Sequence, residues 1–243
     1  MHVEYSNWLA EQKYASGTQT AQLHRVKKVE EAYGSLDKHY ANGTYQEVID
    51  SLVYSVQDER MNKPNPSKMK FEGNIKNNLQ SYKDAAIRYK RFLDNTDFRA
   101  GITTTSNSVE NIEIASSQDE SQQKLSLERD MQAALRHDIT SLGDSLKIID
   151  DGAERSVDSG FIDITCEGDN SIVVIELKAG KADSRAIGQI LGYMGDLQEE
   201  ESKSIRGILV AHDFDKRAKA AARVVPTLSL KRYSIEFKFT EEQ

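Results

Sequence analysis

Asp163, Glu176 and Lys178 are ionisable side chains within what otherwise reads as a buried β-hairpin, GFIDITCEGDNSIVVIELKAGK, Gly160 to Lys181. The run reads as two alternating strands, FIDITCE and SIVVIELK, joined across GDN, a tight-turn signal. In the first, Ile162, Ile164 and Cys166 point one way and Phe161, Asp163 and Thr165 the other; in the second, Glu176 and Lys178 share a face with Ile172 and Val174. An unpaired buried charge is costly, so these groups need partners, and either each other or a metal ion would serve. The helix ahead of the hairpin adds a carboxylate. Leu125, Met131, Leu135 and Ile139 form its apolar stripe, Glu128 falls near the centre of that stripe, and Arg129 and Arg136 lie off it. Downstream, Gln189 and Tyr193 are spaced i, i+4 and share a helix face. Two or three carboxylates and a lysine at a sheet edge suit a hard divalent cation, Mg²⁺ or Mn²⁺, which would neutralise charge building on an attacked phosphate. Phosphodiester hydrolysis is the reaction this set serves best, with the lysine holding or deprotonating the water.

The elements that must position these residues follow from periodicity. A helix over about 124–138 precedes the hairpin. After it comes a helix capped by Asp183 or Ser184, with Ile187, Ile190, Leu191 and Met194 on its apolar side. The apolar strand IRGILVAH, the Ala-rich helix DKRAKAAARVV ended by Pro226, and a last strand LSLKRYSIEFKF complete the order α-β-β-α-β-α-β. That order predicts a mixed sheet covered by helices, in the α+β or α/β class.

Residues 1–98 read instead as a small all-helical domain. Leu23, Val26, Val29 and Tyr33 recur at helical spacing up to Gly34, Val48, Leu52 and Val56 follow, NKPNPS breaks the pattern, and Ile75, Leu79, Tyr82, Ala86, Tyr89 and Leu93 stripe a long helix. Lys76, Lys83 and Lys90 repeat every seven residues on that helix, interleaved with Tyr82 and Tyr89, and form a candidate DNA-phosphate stripe. Residues 99–123, rich in Ser, Thr, Asn and Gln, read as a linker with little structure of their own, leaving 124–243 as the second domain.

The bulk numbers narrow the field. The net charge of -7 over 243 residues argues against a protein that coats nucleic acid, though not against one that cuts it. No apolar run is long enough to span a membrane and no signal-peptide pattern is present, so a cytoplasmic location is expected. The single Cys166 rules out thiolate zinc and an internal disulfide framework, and reads as core. His212, Asp213 and Asp215 read as a turn and helix cap, and His2, His24, His39 and His137 show no ligand spacing.

Asp163, Glu176 and Lys178, in the spacing D-x12-E-x-K, match the PD-(D/E)XK nuclease signature, and GQILGYMG matches the QxxxY helix of many such enzymes. Through VVIELKAGKAD, AIGQILGYMG, RGILVAHDFD and AARVVP the segment from about Leu125 to Phe239 resembles the catalytic domain of NucS/EndoMS-type endonucleases. The resemblance implies a restriction-endonuclease-like sheet, metal ligation by Asp163 and Glu176 with the Leu177 carbonyl completing the shell, catalytic support from Lys178, and site roles for Glu128 and Gln189. It implies a Mg²⁺-dependent DNA endonuclease leaving 5′-phosphates, in restriction, phage defence or repair, with a homodimer expected for double-strand cleavage. The alternative is a nuclease fold that binds DNA or regulates without cutting. The family often has an arginine where Phe161 stands, two residues before the aspartate, and its other half is β-rich. The helical half here is similar, more loosely, to the core-binding domains of tyrosine recombinases.

Overall fold

The computed structural model describes residues 1–104, 113–236 and 240–241, with the side chains of 96–122 outside the description. The first module is helical, comprising α1 (Tyr5–Glu11), α2 (Ser16–Tyr33), α3 (Leu36–Ala41), α4 (Tyr45–Asp50), α5 (Val56–Arg60) and α6 (Ile75–Thr104). Val26 and Val29 of α2 meet Leu79, Ala86 and Tyr89 of α6 in one core, which Tyr5, Trp8 and Phe92 fill with aromatic surface. The Tyr5 and Tyr89 rings meet edge-on at 4.8 Å, an arrangement their quadrupoles favour. Gly34, at φ +95°, ends α2 in a conformation that other residues rarely adopt.

The expected linker is helical at both ends. Helix α6 runs to Thr104, α7 spans Glu113–His137, and residues 105–112 lie outside the described residues. Helix α7 therefore starts well before the expected 124. Ala, Ser, Gln, Asp and Glu lack an apolar period, but none of them stops a helix.

The second module is a five-stranded mixed sheet in the order β1 (Lys147–Ile148), β4 (Ile164–Gly168), β5 (Ser171–Ala182), β6 (Ser204–Phe214), β7 (Leu228–Arg232), beside a two-stranded ribbon of β2 (Arg155–Val157) and β3 (Gly160–Ile162). β4 and β5 are antiparallel, joined by Asp169 and Asn170 at φ 49° and 58°, a pair of left-handed residues whose twist suits a two-residue hairpin. β5, β6 and β7 are parallel, linked by α8 (Ser184–Glu200) and α9 (Lys216–Arg223). Asp183 caps α8 through Arg185 and Ala186 N–H, and Asp215 caps α9 through Ala218 N–H, as its sequence position implied.

The sheet is covered on both faces. Ile172, Val174 and Leu209 pack with Ile187, Ile190 and Leu197 of α8, whereas Ile164, Cys166, Val173, Ile175 and Leu177 pack beneath Met131 and Leu135 of α7. Central β5 is thus apolar on both sides, as a doubly covered strand must be. Leu125, expected in the α7 stripe, is instead 44 % exposed. The last strand stops at Arg232, well short of the run expected for it, and residues 237–239 lie outside the described residues.

Two differences from the expected strands bear on the site. FIDITCE is not one strand: it breaks at Asp163, so Ile162 joins the α8 side while Ile164 and Cys166 join the α7 side. β1 and β2 were also not anticipated, because KI and RSV are too short to show a period. The burial of β2 comes from elsewhere: the helical module covers it, and Asp84 of α6 accepts from Ser156 N–H at 3.1 Å.

Candidate active site

The break at Asp163 makes the site. Pairing between β4 and β5 ends at Ile164 opposite Ile175, and the next amide, Leu177 N–H, donates to Asp163 Oδ2 at 2.8 Å. The Asp163 carbonyl accepts from Gln132 Nε2 and from Arg136, each at 2.7 Å. Arg136 in turn forks onto Asp150 at 2.6 and 3.0 Å, and Asp150 accepts from Thr165 N–H at 2.8 Å. Helix α7 therefore fixes the turn that aims the Asp163 carboxylate.

Glu176 leaves β5 beside it and is only 2 % exposed. One oxygen accepts from Lys178 Nζ at 2.8 Å, Oε2 is buried with no N–H or hydroxyl donor, and the Asp163 carboxyl lies within hydrogen-bonding reach of Glu176. Burial raises the pKa of Glu176 against the pull of Lys178. Asp163 is pushed well above its usual range, by burial first and the Glu176 charge second. Burial would lower the Lys178 pKa, but the Glu176 charge outweighs it, so the ammonium form is favoured.

Glu128 enters from α7. Its Oε1 accepts from Ala179 N–H at 2.9 Å, where β5 slips register against β6 between Lys178 and Lys181. The Tyr233 hydroxyl donates to the Ala179 carbonyl, so the bulge is satisfied on both sides by side chains. On α8, Gln189 Nε2 donates to Tyr193 Oη at 2.7 Å, and the Tyr193 ring packs where only glycine fits: a Cβ at Gly160 would sit 3.1 Å from its hydroxyl.

A cleft of about 310 Å³ unites Asp163, Glu176, Lys178, Glu128 and Gln189. Five residues named from the sequence as catalytic thus share one cavity. Residues not singled out also line it: Gln132 and Arg129 of α7, Arg91 of α6, and Glu154. A signal for Gln132 and Arg136 was present, since Glu128, Gln132 and Arg136 repeat at i, i+4, i+8 and must share a helix face. Arg91 carries no such signal, because its place depends on how two modules dock.

The lysine stripe lies elsewhere. Lys76 pairs with Glu201 at 2.9 Å, Lys83 lies 4.0 Å from Glu200, and each side chain is 12 % exposed. Lys90 pairs with Asp94 on its own helix at 3.1 Å. Tyr89 is buried and Tyr82 packs on the helical core. The seven-residue repeat faces the seam between the modules at its first two members, where the carboxylates of α8 use up its charge.

As a metal site, Asp163 and Glu176 fit a hard cation: both carboxylates are buried with raised pKa values, and the Glu176 charge adds to the burial that raises Asp163. The ligand set is lean. Among the described residues no three carboxylate, imidazole or thiolate side chains converge, so the Leu177 carbonyl and water would have to complete a shell.

Fold and cleft together define a helix-flanked mixed sheet that presents an acid, acid, lysine set from adjoining strands. Residues 127–236 match the family model described as the endonuclease NucS C-terminal domain, which leaves the helical half outside it. The chain is 42 % identical over 67 residues to endonuclease NucS of Pyrococcus horikoshii and 40 % identical over 67 residues to that of Pyrococcus abyssi. Each match covers 27 % of this chain, so the chain spans about a quarter of the length of the curated relatives it matches (26 % and 27 %). The crystal structure of a repair endonuclease from Pyrococcus abyssi aligns at 25 % identity with a TM-score of 0.40, over 53 % of this chain and 49 % of that one. Among the described residues no helix is long and apolar enough to cross a membrane.

Proposed function

We propose that the chain is a metal-dependent DNA endonuclease whose cleft hydrolyses phosphodiester bonds. The observation that carries this reading is the convergence in one cleft of two adjoining buried carboxylates with raised pKa values, Asp163 and Glu176, and a cationic lysine. A structural ion pair needs one carboxylate, whereas two held side by side in a buried site repel each other unless a proton or a cation lies between them. The family match over 127–236 supports the same reading.

Asp163, Glu176 and the Leu177 carbonyl would hold Mg²⁺ or Mn²⁺, which when bound stabilises negative charge on the attacked phosphate. The chain's own groups do the rest. Asp163 is aimed by Gln132, Arg136 and the Leu177 amide. Lys178, kept protonated by Glu176, donates hydrogen bonds that orient the attacking water or steady the phosphate oxygens. Glu128 holds the β5 bulge that sets the direction of Lys178, and Gln189 borders the cleft through its bond to Tyr193. Cutting both strands of a duplex calls for two such clefts, which two copies of the chain would supply.

The test is incubation with Mg²⁺ or Mn²⁺ and a panel of plain, methylated, mismatched and single-stranded DNA. Cleavage with 5′-phosphate ends is expected, lost with chelator. Lys178→Ala should lower the rate by about 10²- to 10³-fold, the scale of removing one preorganised donor, and Glu176→Gln should abolish it. A Lys178→Ala chain that cuts at the wild-type rate would refute the assignment, and a wild type that binds DNA without cutting under any metal would favour the regulatory alternative.

A further inference from the structure

The cleft is not built by the sheet module alone. Arg91 projects from α6 of the helical module into it and lies over the Phe161 ring, 5.1 Å from the centroid. Phe161 stands two residues before Asp163, so Arg91 reaches the site at its edge. Arg129, from α7, lines the same cavity. Two guanidinium groups from different modules therefore face one small cleft.

Neither guanidinium has a carboxylate of its own among the described residues. The nearest buried carboxylate, Glu154, is already taken: Tyr14 donates to it, and Arg88 Nε lies 3.6 Å away. Among the described residues neither Arg91 nor Arg129 forms an ion pair with a carboxylate. Burial and then the Arg91 charge lower the pKa of Arg129, and Tyr14, Glu154 and Glu11 offset this only in part. Half-buried like charges are unfavourable, so this arrangement is best relieved by an anion between them. A guanidinium offers a planar fork of donors that matches phosphate, and an aromatic ring beneath it leaves those in-plane donors free.

We propose that Arg91 and Arg129, one from each module, jointly bind a backbone phosphate of the nucleic-acid strand that enters the cleft. The helical module then completes the active site, with Arg91 reaching it over the Phe161 ring. This rests on the nuclease reading and adds to it the strand contact that sets substrate position.

Binding of fluorescently labelled single-stranded and duplex oligonucleotides, followed by anisotropy in chelator over a range of salt concentrations, tests it without requiring turnover. Arg91→Gln and Arg129→Gln should each weaken binding about tenfold, the scale of losing one charge-assisted contact, and should reduce the salt slope by about 1. The double variant should lose less than the product of the two, because the groups share one phosphate. Arg91→Lys, which keeps the charge but not the fork, should recover part of the affinity and the whole of the slope. If the wild type binds and cuts while Arg91→Gln and Arg91→Lys bind with unchanged affinity and slope, this proposal fails and the nuclease reading stands. If the wild type binds none of the oligonucleotides, both fail.

Discussion

Two buried glutamates, Glu154 and Glu176, are treated by the fold in opposite ways. At the seam between the modules, Glu154 accepts from Tyr14 and faces Arg88, which itself donates to Gln22 at 2.8 Å and to the Glu154 carbonyl. Burial alone would raise its pKa, yet Arg88 and Tyr14 hold it below the usual range. In the cleft, Glu176 and Asp163 are raised, and the two carboxyls lie side by side. A buried carboxylate lowered by an arginine fastens two modules. Two raised ones together mark a place that a cation would fill.

Substitution should separate these two kinds of carboxylate. Glu154→Ala strands the Arg88 guanidinium, 1 % exposed, and should lower stability by about 3–5 kcal/mol, the usual consequence of removing one partner of a buried pair. Glu176→Gln removes a charge the fold holds at a loss, and should unfold at the wild-type urea midpoint or above it. Equal losses in both variants would erase the distinction and make Glu176 a structural residue.

Metal should act on the cleft alone. With Mn²⁺ at about a hundred times its dissociation constant, a ligand that binds only the folded chain adds about 2.7 kcal/mol. The wild type should therefore melt at a higher temperature in Mn²⁺. Asp163→Asn and Glu176→Gln should not respond, whereas a seam variant of milder effect, Glu154→Gln, should rise as the wild type does. A wild type indifferent to Mn²⁺ and Mg²⁺ would leave the two adjoining carboxylates without their expected occupant.

How much of this could be read from residues alone follows the same division. Asp163, Glu176 and Lys178 were legible because an apolar strand advertises any charge it carries, Glu128 because it falls in a helix's apolar stripe, and Gln189 because it shares a helix face with Tyr193. The break at Asp163 was not: FIDITCE alternates well, and only the competition of a side-chain carboxylate for the Leu177 amide ends the pairing. Arg136 was seen but set aside, since an apolar stripe draws attention away from a polar one at the same spacing. The seam was illegible throughout. Arg88 and Arg91 lie far from Glu154 and Arg155 in sequence, and the contacts across that gap exist only once the modules have docked. For the same reason Lys76 and Lys83 looked like a solvent-facing stripe: their period shows that they share a face, but not what covers it.

The seam's outer rim should yield the smallest effect. Lys76 and Arg155 both reach Glu201, at 2.9 and 2.8 Å, and Arg155 also reaches Glu200 at 2.9 Å, so loss of one lysine leaves every carboxylate a partner. Lys76→Ala and Lys83→Ala should each change stability by less than about 1 kcal/mol and leave the salt slope of DNA binding untouched. Burial would raise the pKa of Glu201, yet Lys76 and Arg155 hold it below its ordinary 4.5. A depressed carboxylate contributes stability that is present above 4.5 and lost as the pH falls through its lower folded value. Removing Lys76 should bring that folded value closer to 4.5, so the drop in melting temperature as the pH is lowered through 4.5 should be smaller in Lys76→Ala than in the wild type. A drop in the salt slope in the same variant would instead return Lys76 to the phosphate-binding surface and take the rim out of the seam.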